Sequence, residues 1–193
     1  MFAASAELMY IALRETEDSV NLGLLSSIQD GQRKGLGCLP YYLGLTPLDY
    51  VNFGQITKVN PDSWNQFNKR AFEQGALRQE LLDMRRDEWI DLRDLLLANR
   101  TDDNICTIWL ADIVAAGCLG GDHLWRDLGF ASRTQLGYLM KINFRPLFMA
   151  NNADMKWKKF FYKQLCEQEG GYVCRSPTCE QCAAYDDCFG PEI

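Results

Sequence analysis

The sequence predicts an all-α protein: a compact helical domain that ends in an irregular, cysteine-rich, cluster-binding loop. Three observations carry that prediction. Apolar residues recur at helical spacing through most of the chain, caps and glycine stops punctuate it, and no convincing strand pair, internal repeat or low-complexity segment appears. The 193 residues suit a single domain, 1–193, divided into a helical body, 1–150, and a basic helix plus cysteine tail, 151–193. A 47% hydrophobic and 24% charged composition excludes disordered, collagen-like and coiled-coil classes.

The elements follow in order. Leu8, Ile11, Ala12, Val20 and Leu24 predict one helix or two short ones over 4–30, with a break near Asp18–Asn21. Gly31, Gly35 and Gly37 interrupt. The run from Cys38 to Pro47 reads as a packed connector, because Pro40 and Pro47 restrict the residues before them, and Thr46-Pro47 suits a helix start. From Pro61 to Asn99 one long helical pattern runs, and its mixed charges from Arg85 to Asp94 predict a solvated face with ion pairs a turn apart. Thr101–Asn104 caps an apolar helix from Ile105 to Cys118, which Gly120-Gly121 ends. Asp122 is the expected cap of a short helix stopping at Gly129, and Ser132 of the next, with Leu136, Leu139 and Met140 inward. After Pro146 and a turn at Asn151-Asn152, a helix opens at Ala153-Asp154 and runs to about Glu169. Its inward stripe is Trp157, Phe161 and Leu165. From Tyr172 onward too little apolar material remains for a regular element, so something other than burial must organise the tail.

No run of apolar residues is long enough to span a membrane, and the first residues lack the basic start of a secretory signal, so a cytoplasmic protein is expected. A net charge of −6 argues against a general nucleic-acid binder. In a reducing compartment eight cysteines point to metal ligation or thiol chemistry before disulfides. Their distribution locates the chemistry. Cys38, Cys106 and Cys118 are scattered, whereas Cys166, Cys174, Cys179, Cys182 and Cys188 crowd the carboxyl end.

Cys174, Cys179, Cys182 and Cys188 have the spacing C-x4-C-x2-C-x5-C, close enough to close around one inorganic centre. Structural zinc usually takes two C-x2-C knuckles separated by a longer element, and only one knuckle is present. The first three cysteines repeat the C-x4-C-x2-C of plant-type iron–sulfur proteins, so an iron–sulfur cluster of 4Fe-4S or 3Fe-4S type is the leading reading. Zinc and disulfides are the alternatives.

Neighbouring residues have candidate roles. Arg175 is either a donor to a cluster sulfide or thiolate or a surface residue. Lys156, Lys159 and Lys163 share a helix face, making a local positive patch for an oxyanion or acidic partner, or an ordinary solvated one. Cys118, His123 and Cys166 are candidate accessory ligands, with core or surface packing as the plain alternative. Cys38 and Cys106 read as core. The sequence contains no G-x-x-x-x-G-K-[ST], G-x-G-x-x-G or H-E-x-x-H, so nucleotide binding and hydrolysis lack support, and no catalytic residue is assigned.

Ala115–Cys118 leading to Asp122–Gly129, the block Met155–Cys166, and the run from Cys174 through Glu192 together resemble the NifQ family of nitrogen-fixation proteins. The likeness covers about residues 110–192, with an echo in Leu39-Pro40 to Leu43-Gly44-Leu45. It implies a molybdenum-handling iron–sulfur protein, a carrier more than a turnover enzyme. Such a protein assembles a Mo–Fe–S cluster from molybdate or another molybdenum source and supplies molybdenum for the iron–molybdenum cofactor of nitrogenase. The resemblance makes Cys174, Cys179, Cys182 and Cys188 the cluster ligands. It also implies two partners, the cofactor-assembly scaffold and the nitrogenase iron protein. A small electron-transfer protein and a zinc-stabilised interaction module remain the alternatives.

Overall fold

The computed structural model describes residues 18–57, 69–168, 170 and 185–192. Among the described residues there are ten helices and no strand: α1 (Asp18–Arg33), α2 (Pro47–Ile56), α3 (Lys69–Met84), α4 (Arg86–Ala98), α5 (Ile105–Cys118), α6 (Leu124–Asp127), α7 (Arg133–Asn143), α8 (Arg145–Ala150), α9 (Trp157–Gln168) and α10 (Tyr185–Phe189). The first helical stretch expected from the sequence, before residue 18, lies outside the described residues.

The fold is organised around α5. Its sequence is apolar on every side, a pattern that demands burial all round, and all of it from Cys106 to Cys118 except Ile108 is buried. Asn104 caps it by accepting a hydrogen bond from the Cys106 amide at 2.8 Å. The amphipathic helices lay their stripes against it: Leu24, Leu25 and Ile28 of α1, and Trp89, Leu92, Leu95 and Leu96 of α4. Trp109 is 1% exposed and meets Phe53 of α2 edge to face at 5.8 Å. Thr46 caps α2, accepting from the Asp49 amide at 3.1 Å, with Pro47 in the first turn as its fixed φ favours. The connector before it is packed as expected, and Leu43 is held there at φ 61.

A polar group inside this core had no sequence signal. Asn143 of α7 exchanges two side-chain hydrogen bonds with Asn21 of α1, at 2.8 and 3.0 Å, and accepts a third from the Thr107 hydroxyl of α5 at 2.9 Å. With its partners satisfied, the cluster ties three helices in one register. Close backbone approach fixes another contact: a Cβ on Gly31 would lie 2.7 Å from the Gly129 carbonyl oxygen, so α1 meets the turn after α6 only because both residues are glycine.

Three expectations are corrected. The long helix after Pro61 is broken at Arg85, whose φ of −111° and ψ of 34° leave the helical region, so α3 and α4 are separate. Arg85 is drawn out of line by its guanidinium, which bonds the Leu119 carbonyl at 2.9 Å and chelates Glu88 at 2.8 and 2.7 Å. The charge run is largely solvated as expected, with Arg85 and Glu88 paired a turn apart, while Arg93 turns inward to the Asp112 carboxylate at 2.5 Å. The cap of α6 is His123, with the Asp122 carboxylate accepting the His123 amide at 2.6 Å. Finally, α8 fills Arg145–Ala150, and α9 starts at Trp157 because Asp154 sits at φ 53 in a turn. No described helix is long and apolar enough to cross a membrane.

Candidate metal centre

The described carboxyl-terminal segment, residues 185–192, meets the body at the start of α9. The turn before it is closed by Asn151, whose side chain accepts from the Met155 amide and donates to the Met155 carbonyl, both at 2.9 Å. Trp157, Phe160 and Phe161 then bury one face, Trp157 against Phe148 at 6.4 Å between rings. Phe160 joins the expected stripe and Leu165 is only half-buried. Next to it the Tyr162 hydroxyl donates to Glu88 of α4. Burial, reinforced by that carboxylate, pushes the phenol well up, so it stays a proton donor.

Lys156, just before this helix, and Lys158 and Lys159 within it line one cleft, whereas Lys163 is not part of that lining. Lys158 is largely buried and donates to the Asp127 carboxylate and to the Gly120 carbonyl, the latter at 2.9 Å. Asp127 also accepts the Asp122 amide at 3.0 Å. A Cβ on Gly120 would lie 2.5 Å from that carboxyl group, so glycine is required there. Lys163 pairs with Glu167 at 3.6 Å on the solvent side. Lys156 and Lys159 line a cleft of about 400 Å³ with His123, Trp157, Asp187 and Glu192.

The carboxyl end of the chain closes that cleft. Within α10, the short helix that replaces part of the expected irregular tail, Tyr185 stacks on Phe189 at 4.7 Å. The Lys156 amide donates to the Cys188 carbonyl at 2.8 Å, and the Lys156 ammonium to the Asp186 carbonyl at 2.7 Å. Arg133 of α7 pairs with Glu192 at 2.7 Å. Sequence reasoning did not pair Lys158 with Asp127 or Arg133 with Glu192. Each pair is far apart in the chain, and no periodicity marks such partners.

Of the four proposed ligands, Cys188 is half-buried at the junction of α10 and α9, where Cys188 and Phe189 pack against the core. Cys174, Cys179, Cys182 and Arg175 lie outside the described residues. His123 lines the cleft with its Nδ1 3.8 Å from Glu192. Cys118 is 3% exposed, and burial pushes its thiol up to about 12 against the pull of Lys158, which keeps it protonated at neutral pH. Cys166 is half-buried on α9, and Cys106 is buried. Cys38 is half-buried rather than core, its thiol pushed up by burial. Among the described residues no three or more His, Cys, Asp or Glu side chains are gathered as a metal-binding group. Chemically, the arrangement lines a cleft with lysines and carboxylates together, and ties the backbone of Cys188 to its edge through the Lys156 amide.

Comparison with known proteins extends the picture over nearly the whole chain. The family model described as NifQ matches residues 24–190. The protein named Protein NifQ from Azotobacter vinelandii is 51% identical over 178 residues, 91% of each chain. Protein NifQ homolog from Sinorhizobium fredii is 42% identical over 99 residues, covering 51% of this chain and 43% of that protein. Protein NifQ from Klebsiella pneumoniae is 47% identical over 81 residues, covering 42% of this chain and 48% of that protein. No solved structure matches. The likeness therefore reaches past the carboxyl-terminal third into the helices around α5, and the chain belongs to the NifQ family of nitrogen-fixation proteins.

Proposed function

We propose that the chain is an iron–sulfur molybdenum carrier. It assembles a Mo–Fe–S cluster on Cys174, Cys179, Cys182 and Cys188 and hands molybdenum on for the iron–molybdenum cofactor of nitrogenase. The observation that carries this reading is the C-x4-C-x2-C-x5-C spacing in a chain of the NifQ family. Molybdenum that arrives as an oxyanion must exchange oxygen for sulfur ligands before it joins a cofactor, and an incomplete iron–sulfur cluster offers sulfides for that exchange. Lys156, whose amide bonds the Cys188 carbonyl, and Lys159 line one cleft and supply positive charge for an approaching oxyanion. Donation needs a site that opens, and a ligand such as Cys188 on a short helix against a separately packed helical core suits a carrier better than a turnover enzyme. The recipients are the cofactor-assembly scaffold and the nitrogenase iron protein, in a reducing cytoplasm.

Elemental analysis of the anaerobically prepared full-length chain tests the reading. Iron, sulfide and molybdenum together support it. Zinc alone, or iron and sulfide that never accept molybdenum, overturns it in favour of an interaction module or an electron-transfer protein. Cys182→Ala is expected to abolish the visible cluster absorption while the helical circular dichroism is retained, because the helices have their own core.

A further inference from the structure

Of the proposed ligands Cys188 alone is within the described residues, and polar contacts hold its segment in addition to the packing of Cys188 and Phe189 against the core. The Lys156 amide grips the Cys188 carbonyl at 2.8 Å, and the Lys156 ammonium reaches the Asp186 carbonyl at 2.7 Å. Beyond Cys188 the chain is fastened through Glu192, whose side chain is 7% exposed. Its Oε1 takes the Arg133 guanidinium at 2.7 Å; its Oε2 is buried with no hydrogen-bond partner. His123 stands off at 3.8 Å. Arg133 is itself held in place, its Nη2 donating to the Asp154 carboxylate at 2.8 Å, the Asp154 carbonyl at 3.0 Å and the Met155 carbonyl at 3.2 Å. One guanidinium therefore joins α7, the turn that launches α9 and the segment that follows Cys188.

A carboxylate this buried stays inside only while its counter-ion is present, since one half of a buried pair left alone is strongly unfavourable. We propose that Arg133 is a positioning residue for Cys188: through Glu192 it fastens the carboxyl-terminal segment, and breaking that ion pair loosens the segment that carries the thiol and speeds loss of the cargo. This rests on Cys188 as a cluster ligand. Arg133 touches no cargo atom in this scheme and acts through the backbone between Glu192 and Cys188. The pair is suited to be the point of release, because a single contact opens while the core beneath stays packed.

The test uses the full-length chain and two readouts. In metal-free protein, the alkylation of each cysteine by iodoacetamide is followed by peptide mass spectrometry. Arg133→Met is expected to raise the Cys188 rate about tenfold, as local opening sets reactivity, while the fully buried Cys106 stays protected. Arg133→Lys is expected to restore most of the protection, and Lys141→Met, an exposed change on the same helix, to leave it unaltered. Should Cys106 also become reactive in Arg133→Met, the decision passes to Glu192→Gln, which keeps the side chain's volume, removes its charge and is expected to give the same selective rise. In iron-loaded protein, Arg133→Met is expected to lose iron to a chelator about fivefold faster, with an altered electron paramagnetic resonance signal. A Cys188 rate unchanged in a variant whose Cys106 is protected overturns the proposal. Alkylation needs no cluster, so failure of the carrier reading shows in the elemental analysis alone.

Discussion

The core around α5 and the face made by α9 and α10 are held by different forces. Around α5, Trp109, Leu110, Ile113 and Val114 are essentially sealed from water, and the neighbouring helices contribute apolar stripes. Across the carboxyl-terminal face, the joints are Lys158 to Asp127, Tyr162 to Glu88, Lys156 to the α10 carbonyls and Arg133 to Glu192, with a smaller aromatic patch beneath. Apolar burial is spread over many atoms and fails only as a whole, whereas an ion pair opens at one contact. The core and the carboxyl-terminal face are thereby held by different kinds of contact.

The largest effect should come from damaging the first region. Trp109→Ala removes a side chain that is 1% exposed and leaves a cavity against Phe53, which is expected to cost about 3–5 kcal/mol of unfolding free energy. Urea unfolding followed by circular dichroism measures it. A loss below about 1 kcal/mol would mean that α5 is not the centre of the core and would break the contrast. Cys182→Ala, which alters only the tail, serves as the reference in the same experiment.

A smaller and more local effect is expected from Lys158→Met. The substitution keeps most of the apolar stem and strips the counter-ion from Asp127, whose side chain is 5% exposed. A loss of about 2–3 kcal/mol follows from leaving one buried charge behind, tempered because the Asp122 amide still donates to it. Hydrogen exchange should quicken at residues 120–127 and in the first turn of α9, while the first half of α5 keeps its protection. Uniform loss of protection would show that the two regions unfold as one.

The same division decides what could be read from the sequence. Where burial holds the chain, periodicity and caps were enough: Asn104 starts α5, Thr46 with Pro47 starts α2, and Leu136, Leu139 and Met140 face inward. Where single polar contacts hold it, the sequence was silent. Nothing local marks Arg133 as the partner of Glu192 or Lys158 as that of Asp127, and the charge run from Arg85 gave no sign that Arg85 would break the helix. The family-bearing blocks were legible because they cluster around the cysteines. The match over residues 24–190 shows that the family likeness also covers the helices before them, although their apolar patterns are common to many folds.

Acid sharpens the comparison with opposite signs in the two regions. In the core, burial raises Asp112 from 3.8 to about 6, although Arg93 at 2.5 Å pulls it down. Its folded form holds a proton that the unfolded chain has already lost. Its contribution is therefore fully present below about pH 4 and disappears as pH rises through about 6. At the α9 face, burial works against Glu88, yet the hydrogen bonds from Arg85 and Tyr162 outweigh it and hold the carboxyl below its ordinary value. That contribution is present above the ordinary glutamate range and is lost as pH falls. Asp112→Asn should reduce the loss of stability between about pH 4 and 6 by about 2 kcal/mol, the order set by a shift of this size. Glu88→Gln should instead lessen destabilisation on acidification. Urea titrations at several pH values separate the two, and slopes of the same sign would place both carboxylates in one electrostatic environment and remove the distinction.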